Sequence, residues 1–291
     1  MIEFAQWNMR RELSNLWQEC FHDSKRIPNY FLNNFFSPQD CLVYRLGTQI
    51  ASAVYLLPAQ ILSGGKTLQA HYIFAAATSP RFRSRGYMSS LLAYAAIAGA
   101  QRGDRFSAVL PSGENLYRFY AAAGYLDFFQ VRELSVPAER LSSIAAAASK
   151  GRILFDSARL NSLRKRYLSE NDGSMFWSDR MFYYSVSMSQ VYGDRLVCAM
   201  KDGIPAYALC STEIGVCSVL ESAAEKDTFP TLASAILREA PAAEYRFRLP
   251  AESGLFPGEG KTVRFGMIKP LGGTLISDLK PNHPYLGLTM D

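Results

Sequence analysis

Arg81, Arg83 and Arg85 alternate with other residues over five positions, and Gly86 follows directly. An apolar run, Tyr72 to Thr78, leads into them, Pro80 stops it, and a helical pattern opens at Tyr87-Met88. A strand that delivers the chain to a helix start gathers backbone N–H groups that the helix cannot satisfy from within. The helix dipole adds partial positive charge at the same place. With three guanidinium groups and the Ser84 hydroxyl alongside, the chemistry on offer is capture of an anion, a phosphate or pyrophosphate above all. The alternative reading of the same residues is a basic surface turn of an α/β protein.

The elements that must position this loop can be read from the apolar pattern. Ile2–Phe4 reads as a short strand, Asn8–Phe21 as a helix with Leu13, Leu16, Trp17 and Phe21 on one face, and Pro28–Phe36 as a second helix. That helix pair is expected to lie over one face of a sheet, as a plain hydrophobic cover or as a wall of a substrate pocket. Strands follow at Cys41–Leu46, Gln49–Ser63 and Thr67–Thr78. Ser63-Gly64-Gly65-Lys66 is a hairpin turn, because the G-x-x-x-x-G-K-[ST] spacing of a phosphate loop is missing. After the basic loop come a helix at Gly86–Arg102, a strand at Phe106–Leu110, a helix at Glu114–Ala123 and a strand at Leu126–Val136.

With 291 residues the chain has room for two cores. A net charge of +5 without a long Lys/Arg run suits a polyanionic small molecule and gives no reason to expect nucleic acid as partner. Arg164-Lys165-Arg166 reads as a solvated helix face. The five cysteines form no C-x-x-C pair, which suggests reduced thiols in a cytoplasm. With three histidines and no Cys/His cluster at metal spacing, no metal is expected. Neither a signal peptide nor a membrane span is expected, since no apolar run approaches ~18 residues.

The loop resembles the acyl-CoA loop of the GCN5-related N-acetyltransferases, Gln/Arg-x-x-Gly-x-Gly/Ala. Arg83-Ser84-Arg85-Gly86-Tyr87-Met88 supplies the Arg and the first Gly, and Met88 stands where the second small residue would be. The Eis-like (enhanced intracellular survival) branch tolerates a large residue there. A second segment, from Asn115 through Tyr120 to Gly124-Tyr125, resembles the family's Asn-x-x-x-x-x-Tyr-x-x-x-Gly-Phe/Tyr motif. Two motifs in the right order, together with the order of strands and helices, are far more specific than either alone. The resemblance covers roughly residues 1–136.

The resemblance implies an α/β (α+β) fold, a mixed and mostly antiparallel sheet flanked by helices. It implies acetyl-CoA as co-substrate and a primary amine on an unknown small molecule or peptide as acceptor. Ala76, Ala77 and Thr78 are then expected to pair through their backbone with the pantetheine arm. Arg81, Arg83, Ser84, Arg85, Gly86, Tyr87 and Met88 would hold the pyrophosphate, and Asn115 would touch the cofactor or cap its helix. Tyr120 matches the family's general acid, since a phenol keeps its proton at neutral pH and can give it to a departing sulfur. Tyr117 is the fallback. For the base, Glu114 and Asp127 lie near the motif, a water chain would serve, and the Eis-like branch implies the terminal carboxylate of Asp291, at the end of an apolar tail.

Residues 137–151 are Ala/Ser-rich and read as a linker or linking helix. The region 152–291 repeats the theme: helices at Asp156–Ser169 and Arg180–Ser187, strands at Arg195–Met200, Ile204–Ser211 and Val216–Ser222, a helix at Thr228–Glu239, and strands at Glu244–Leu249 and Val263–Lys269. It is expected to be a degenerate acetyltransferase-like half. Where the basic loop would stand it carries Ser222-Ala223-Ala224-Glu225-Lys226-Asp227, which brings negative charge, so it should hold no cofactor. Two competing functions keep the fold: transfer from an aminoacyl-tRNA or a longer acyl-CoA, and a CoA-binding sensor or scaffold with a decayed site. A homo-oligomer is a common default that nothing in the sequence demands.

Overall fold

In the computed structural model, residues 1–147 and 156–289 are described. The chain divides into two units. The first comprises Met1–Ile61, Thr67–Phe128 and Gly266–Leu279, and the second Leu62–Lys66, Phe129–Phe265 and Lys280–Asp291.

The first unit starts with β1 (Ile2–Phe4) and two helices, α1 (Arg10–Phe21) and α2 (Arg26–Asn34). Leu13, Leu16 and Trp17 recur at helical spacing and are buried, and α1 stops where His22 turns left-handed (φ 59°). The helix pair acts as a cover. Trp17 packs its ring against Phe31, Tyr55 and Phe74 at 5.4–6.1 Å, joining both helices to the sheet below. The sheet continues with β2 (Cys41–Leu46), β3 (Gln49–Ser63) and β4 (Lys66–Thr78). Then come α3 (Tyr87–Gln101), β5 (Phe106–Val109), α4 (Glu114–Ala122) and the two-residue β6 (Leu126–Asp127).

The chain then crosses to the second unit. There it forms β7 (Gln130–Pro137), α5 (Ala138–Ala145), α6 (Ser157–Tyr167), β8 (Met175–Phe176), α7 (Asp179–Tyr192), β9 (Arg195–Lys201), β10 (Ile204–Glu213), β11 (Val216–Ala223), α8 (Phe229–Glu239), β12 (Glu244–Leu249) and β13 (Lys261–Arg264). It returns to the first unit as β14 (Met267–Pro270). The first sheet runs β1-β2-β3-β4-β5-β14-β6 and the second β13-β7-β12-β11-β10-β9. Both are mostly antiparallel, and each holds one parallel pair, β4–β5 and β11–β12.

Two expectations are corrected here. The single strand foreseen at Leu126–Val136 is two strands in different sheets, β6 and β7. The strand foreseen at Val263–Lys269 likewise splits into β13 and β14, and Gly266 turns between them at φ 115°. The Ala/Ser-rich stretch begins as a helix, one of the two readings the sequence offered. Its first part is α5, whose Leu141 is fully buried in the core that β7, β10, β11, β12 and α8 build; residues 148–155 lie outside the described residues.

Candidate functional site

The basic loop leaves the sheet where β4 loses its neighbour. β4 pairs with β5 only from Ala70↔Phe106 to Tyr72↔Ala108, yet β4 runs on to Thr78. From Ile73 onward its edge toward β5 therefore offers backbone donors and acceptors to an added extended chain. Within this stretch Ala75 is left-handed (φ 44°), an uncommon conformation for a residue with a Cβ and one that concentrates at functional sites.

Ser84 (φ 60°) and Gly86 (φ 77°) are left-handed as well, so the loop folds into a tight turn directly before α3. Gly86 is the N-cap and supplies no side-chain cap, and the first turn carries no acidic residue. The helix's first backbone bond runs from Ser90 N–H to the Gly86 carbonyl at 2.9 Å. The N–H groups of Tyr87, Met88 and Ser89 are left facing outward by helix geometry. Arg81, Arg83 and Arg85 are exposed around them. Arg81 and Arg85 both lie 5.7 Å from the Phe82 ring, and Arg83 Nε donates to the Thr78 carbonyl at 3.2 Å. Met88, the residue that departs from the small-residue pattern, turns its side chain into the core around Leu91 and Leu92, so its bulk does not enter the loop. Tyr87 stacks on Tyr44 at 4.3 Å and anchors the first helical turn to β2.

Side chains from distant segments fix the end of β4. Ser52 Oγ donates to the Ala77 carbonyl at 2.8 Å and meets Thr78 Oγ1 at 2.8 Å. Ser79 Oγ donates to Glu19 Oε1 at 3.1 Å, and its N–H to the Ala51 carbonyl at 3.0 Å. Cys20 Sγ donates to the Thr78 carbonyl at 3.3 Å, sharing that acceptor with Arg83. Burial raises the Cys20 thiol above its ordinary pKa despite the neighbouring Arg83, so it stays protonated. Sequence reading missed Ser52, Glu19 and Cys20. Their partners lie 25–60 residues away, and no local pattern marks them.

Tyr120 projects from α4 into the core that also holds Leu42, Val54, Ile73 and Leu91, and only 6 % of it is exposed. Its ring meets Tyr125 edge-on at 5.4 Å, and Tyr125 in turn bonds Ser107 at 2.7 Å. The Tyr117 hydroxyl accepts the Gly266 N–H at 2.9 Å, tying α4 to the entry of β14. Asn115 does not cap its helix. The N-cap is Gly113, without a side-chain cap bond, and Asn115 Oδ1 accepts from Arg118 Nη2 at 2.6 Å on the exposed face. Glu114 and Asp127 are exposed.

Asp291 lies outside the described residues. The tail before it is not solvated: Tyr285, Leu286 and Leu288 are buried in the second unit. The Gly287 carbonyl accepts from Trp177 Nε1 at 3.1 Å and faces Arg164 Nη2 at 3.5 Å. At the second unit's counterpart of the basic loop, Glu225 bonds Arg166 at 2.8 Å, and Ser222, Ala223 and Ala224 are buried. Among the described residues no group of three or more His, Cys, Asp or Glu is placed to hold a metal. No described helix is long and apolar enough to cross a membrane.

Residues 5–126 match the family described as "Acetyltransferase (GNAT) domain". No curated protein matches the sequence. Several solved structures share the fold. A GCN5-related N-acetyltransferase from Anabaena variabilis ATCC 29413 superposes with a TM-score of 0.74 at 14% identity, covering 94% of this chain and 73% of that one. A GCN5-related N-acetyltransferase from Kribbella flavida gives 0.69 at 15%, covering 92% and 70%. Eis1 from Mycobacterium abscessus gives 0.67 at 11%, covering 93% and 73%.

Proposed function

We propose that this chain, a member of the GCN5-related N-acetyltransferase superfamily through its residues 5–126, transfers an acetyl group from acetyl-CoA to a primary amine of a small molecule or peptide. One continuous stretch carries the reading: the strand edge left open after Tyr72, the left-handed Ala75, and the uncapped start of α3 among three arginines. An open strand edge suits an extended arm rich in amides, and an uncapped helix start suits a pyrophosphate.

In this reading Ala76, Ala77 and Thr78 pair through their backbone with the arm, and one of their N–H groups serves as oxyanion donor. Arg81, Arg83 and Arg85, with Ser84 and the N–H groups of Gly86, Tyr87 and Met88, neutralise the phosphates. Asn115, exposed in the first turn of α4, is the outermost contact. Bound acetyl-CoA supplies the acetyl thioester. The Tyr120 hydroxyl holds a proton and gives it to the sulfur as it leaves. The amine must arrive neutral, and the base assigned here is the terminal carboxylate of Asp291; the burial of Tyr285, Leu286 and Leu288 just before it supports this reading. The second unit is read as a degenerate repeat that holds no cofactor, and the protein as cytoplasmic.

The test is a thermal unfolding scan of the full chain against rising acetyl-CoA, followed by a thiol-release screen of amines. A ligand that binds only the folded state contributes about 2.7 kcal/mol at 100 times its Kd. A saturable upward shift that Arg83→Ala/Arg85→Ala diminishes is expected. No shift at millimolar cofactor would reject the donor site. A shift without turnover on any amine would favour a CoA-binding sensor or scaffold.

A further inference from the structure

The second unit carries a cavity of about 500 Å³ on the sheet face opposite its main core. Side chains alternate across a strand. Val136, Tyr245, Phe247 and Val219 point into the core under α5 and α8. The residues between them, Glu133 and Ser135 on β7, Arg246 and Arg248 on β12, and Ser218 on β11, therefore line the other face, joined by Lys261 from β13. The volume is that of a small-molecule site. Its walls stand on paired strands of one sheet, a rigid base.

The charges are unequal and spaced. Three lining cations, Arg246, Arg248 and Lys261, face one lining acid, Glu133. Glu133 pairs across the sheet with Arg248 on one side and Lys261 on the other. Arg248 and Lys261 thus stand two strand spacings apart, roughly 9–10 Å at the backbone. Arg246 lies two residues from Arg248 along β12, about 7 Å away. Arg246 is committed to Glu244 at 2.7 Å. Arg248 reaches Glu133 only at 3.6 Å, beyond hydrogen-bond range, and otherwise lies over the Phe265 ring at 5.0 Å. Lys261 has no acidic partner among the described residues.

We propose that this cavity is a binding site for a small organic dianion whose two acidic groups are several bonds apart, one held by Lys261 and the other by Arg248, with Ser218 offering its hydroxyl to the ligand's middle. With the two backbones about 9–10 Å apart, a dicarboxylate or a phosphorylated acid meets both cations in their extended reach, whereas a single acidic group does so only by drawing both side chains together. Glu133 opposes the ligand, because it sits between the two anchors with the same charge sign as the ligand. The site is independent of the acetyl-donor loop, which belongs to the other unit.

The experiment is isothermal titration of the full-length protein in the Arg83→Ala/Arg85→Ala background, which removes the other anion site. The probes are 2-oxoglutarate for the dicarboxylate, 3-phosphoglycerate for the phosphorylated acid, and acetate as the single-charge control. One-site saturable binding of at least one dianion is expected, tenfold or more tighter than acetate, and weakening with added salt. Which probe binds identifies the acidic group. Lys261→Gln and Arg248→Gln should each weaken it tenfold or more, and Glu133→Gln should tighten it severalfold. Lys261 and Glu133 are exposed and Arg248 is half-buried, and an unchanged thermal midpoint without ligand confirms that each variant is folded. No saturable binding of either dianion at 10 mM, equal affinity for acetate, or indifference to all three substitutions would each overturn the site. The opposite signs expected for Lys261 and Glu133 separate a built site from general attraction to a basic protein.

Discussion

The two units contain the same device at their centres and use it differently. In each, a parallel strand pair runs together and then parts. β4 and β5 separate after Tyr72↔Ala108, and β11 and β12 after Val219↔Phe247. Beyond the parting point β4 keeps an open edge and leads to an uncapped helix among arginines. β11 instead enters a closed interior. Glu221 is 2 % exposed and bonds Arg164 at 2.9 and 3.2 Å and Tyr207 at 2.5 Å. The C-terminal tail passes so close that a Cβ at Gly287 would stand 1.9 Å from Glu221 Oε2. One sheet architecture thus keeps an open strand edge in the first unit and a filled core in the second. The difference rests on a few side chains and one glycine, not on the order of strands.

The comparison breaks most severely at Glu221. Glu221→Ala leaves the Arg164 guanidinium buried with an uncompensated charge, which costs about 3–5 kcal/mol. Denaturant unfolding should show that loss, whereas Glu225→Ala, on an exposed pair with Arg166, should stay within about 0.5 kcal/mol. Similar losses at both positions would mean that the second unit's interior is not organised around the ion pair.

Next in size is Tyr120→Phe. If its hydroxyl delivers the proton to sulfur, turnover should fall about a hundredfold or more, close to 2.7 kcal/mol of barrier, with acetyl-CoA affinity kept. A drop in cofactor-induced stabilisation with turnover preserved would place Tyr120 in the core only.

The third contrast is between the loops. Arg83→Ala/Arg85→Ala should remove most of the roughly 2.7 kcal/mol that near-saturating acetyl-CoA contributes, leaving the ligand-free midpoint unchanged because both side chains are exposed. The reciprocal change, Glu225→Arg, should confer no acetyl-CoA binding on the second unit, since Glu221, Ser222, Ala223 and Ala224 beyond Val219 are buried. Acquired binding in a variant that also carries Arg83→Ala/Arg85→Ala would show that charge alone separates the two units.

How far the sequence foretold this depends on distance along the chain. Cys41–Leu46, Gln49–Ser63 and Glu244–Leu249 stand where their apolar pattern and bounding turn residues put them, because those signals are local. The basic loop and its helix were legible for the same reason: Pro80, Gly86 and the small residues of α3 act within a few positions. The crossings at Phe128-Phe129 and Phe265-Gly266 were not legible. A strand's own residues state that it is extended, not which sheet it joins, and the choice is made by partners more than 100 residues away, such as Val109 for Met267 and Val263 for Val131. The same limit hid Ser52 and Cys20 beneath Thr78, and the role of Gly287, whose need for a bare Cα exists only once Glu221 has arrived.

The smallest expected effect concerns acid. In the first unit His71 is fully buried, and its Nδ1 meets Asp104 Oδ2 at 2.8 Å, while Arg102 joins Asp104 at 2.6 Å and Asp40 at 3.0 Å. Gly99 passes close enough that a Cβ would come within 2.6 Å of the His71 ring. Burial lowers the His71 pKa below its ordinary 6.5, outweighing the opposite pull of Asp104. The folded state therefore binds fewer protons than the unfolded chain below pH 6.5. The stability this contributes is complete above that pH and fades as pH falls toward the folded-state value. Burial presses the Asp104 carboxyl upward, but the His71 hydrogen bond and the Arg102 charge prevail and hold it below 3.8, so a second loss follows only in stronger acid. In the second unit's described interior the Arg164–Glu221 pair has no histidine beside it. Denaturation midpoints between pH 7 and 5 should fall, and His71→Gln should flatten that slope while lowering stability at pH 7. Hydrogen exchange should place the acid-sensitive openings in β4 and α3 rather than in β10 and β11. An equal acid response in both sets of strands would show that the buried histidine does not set the difference between the units.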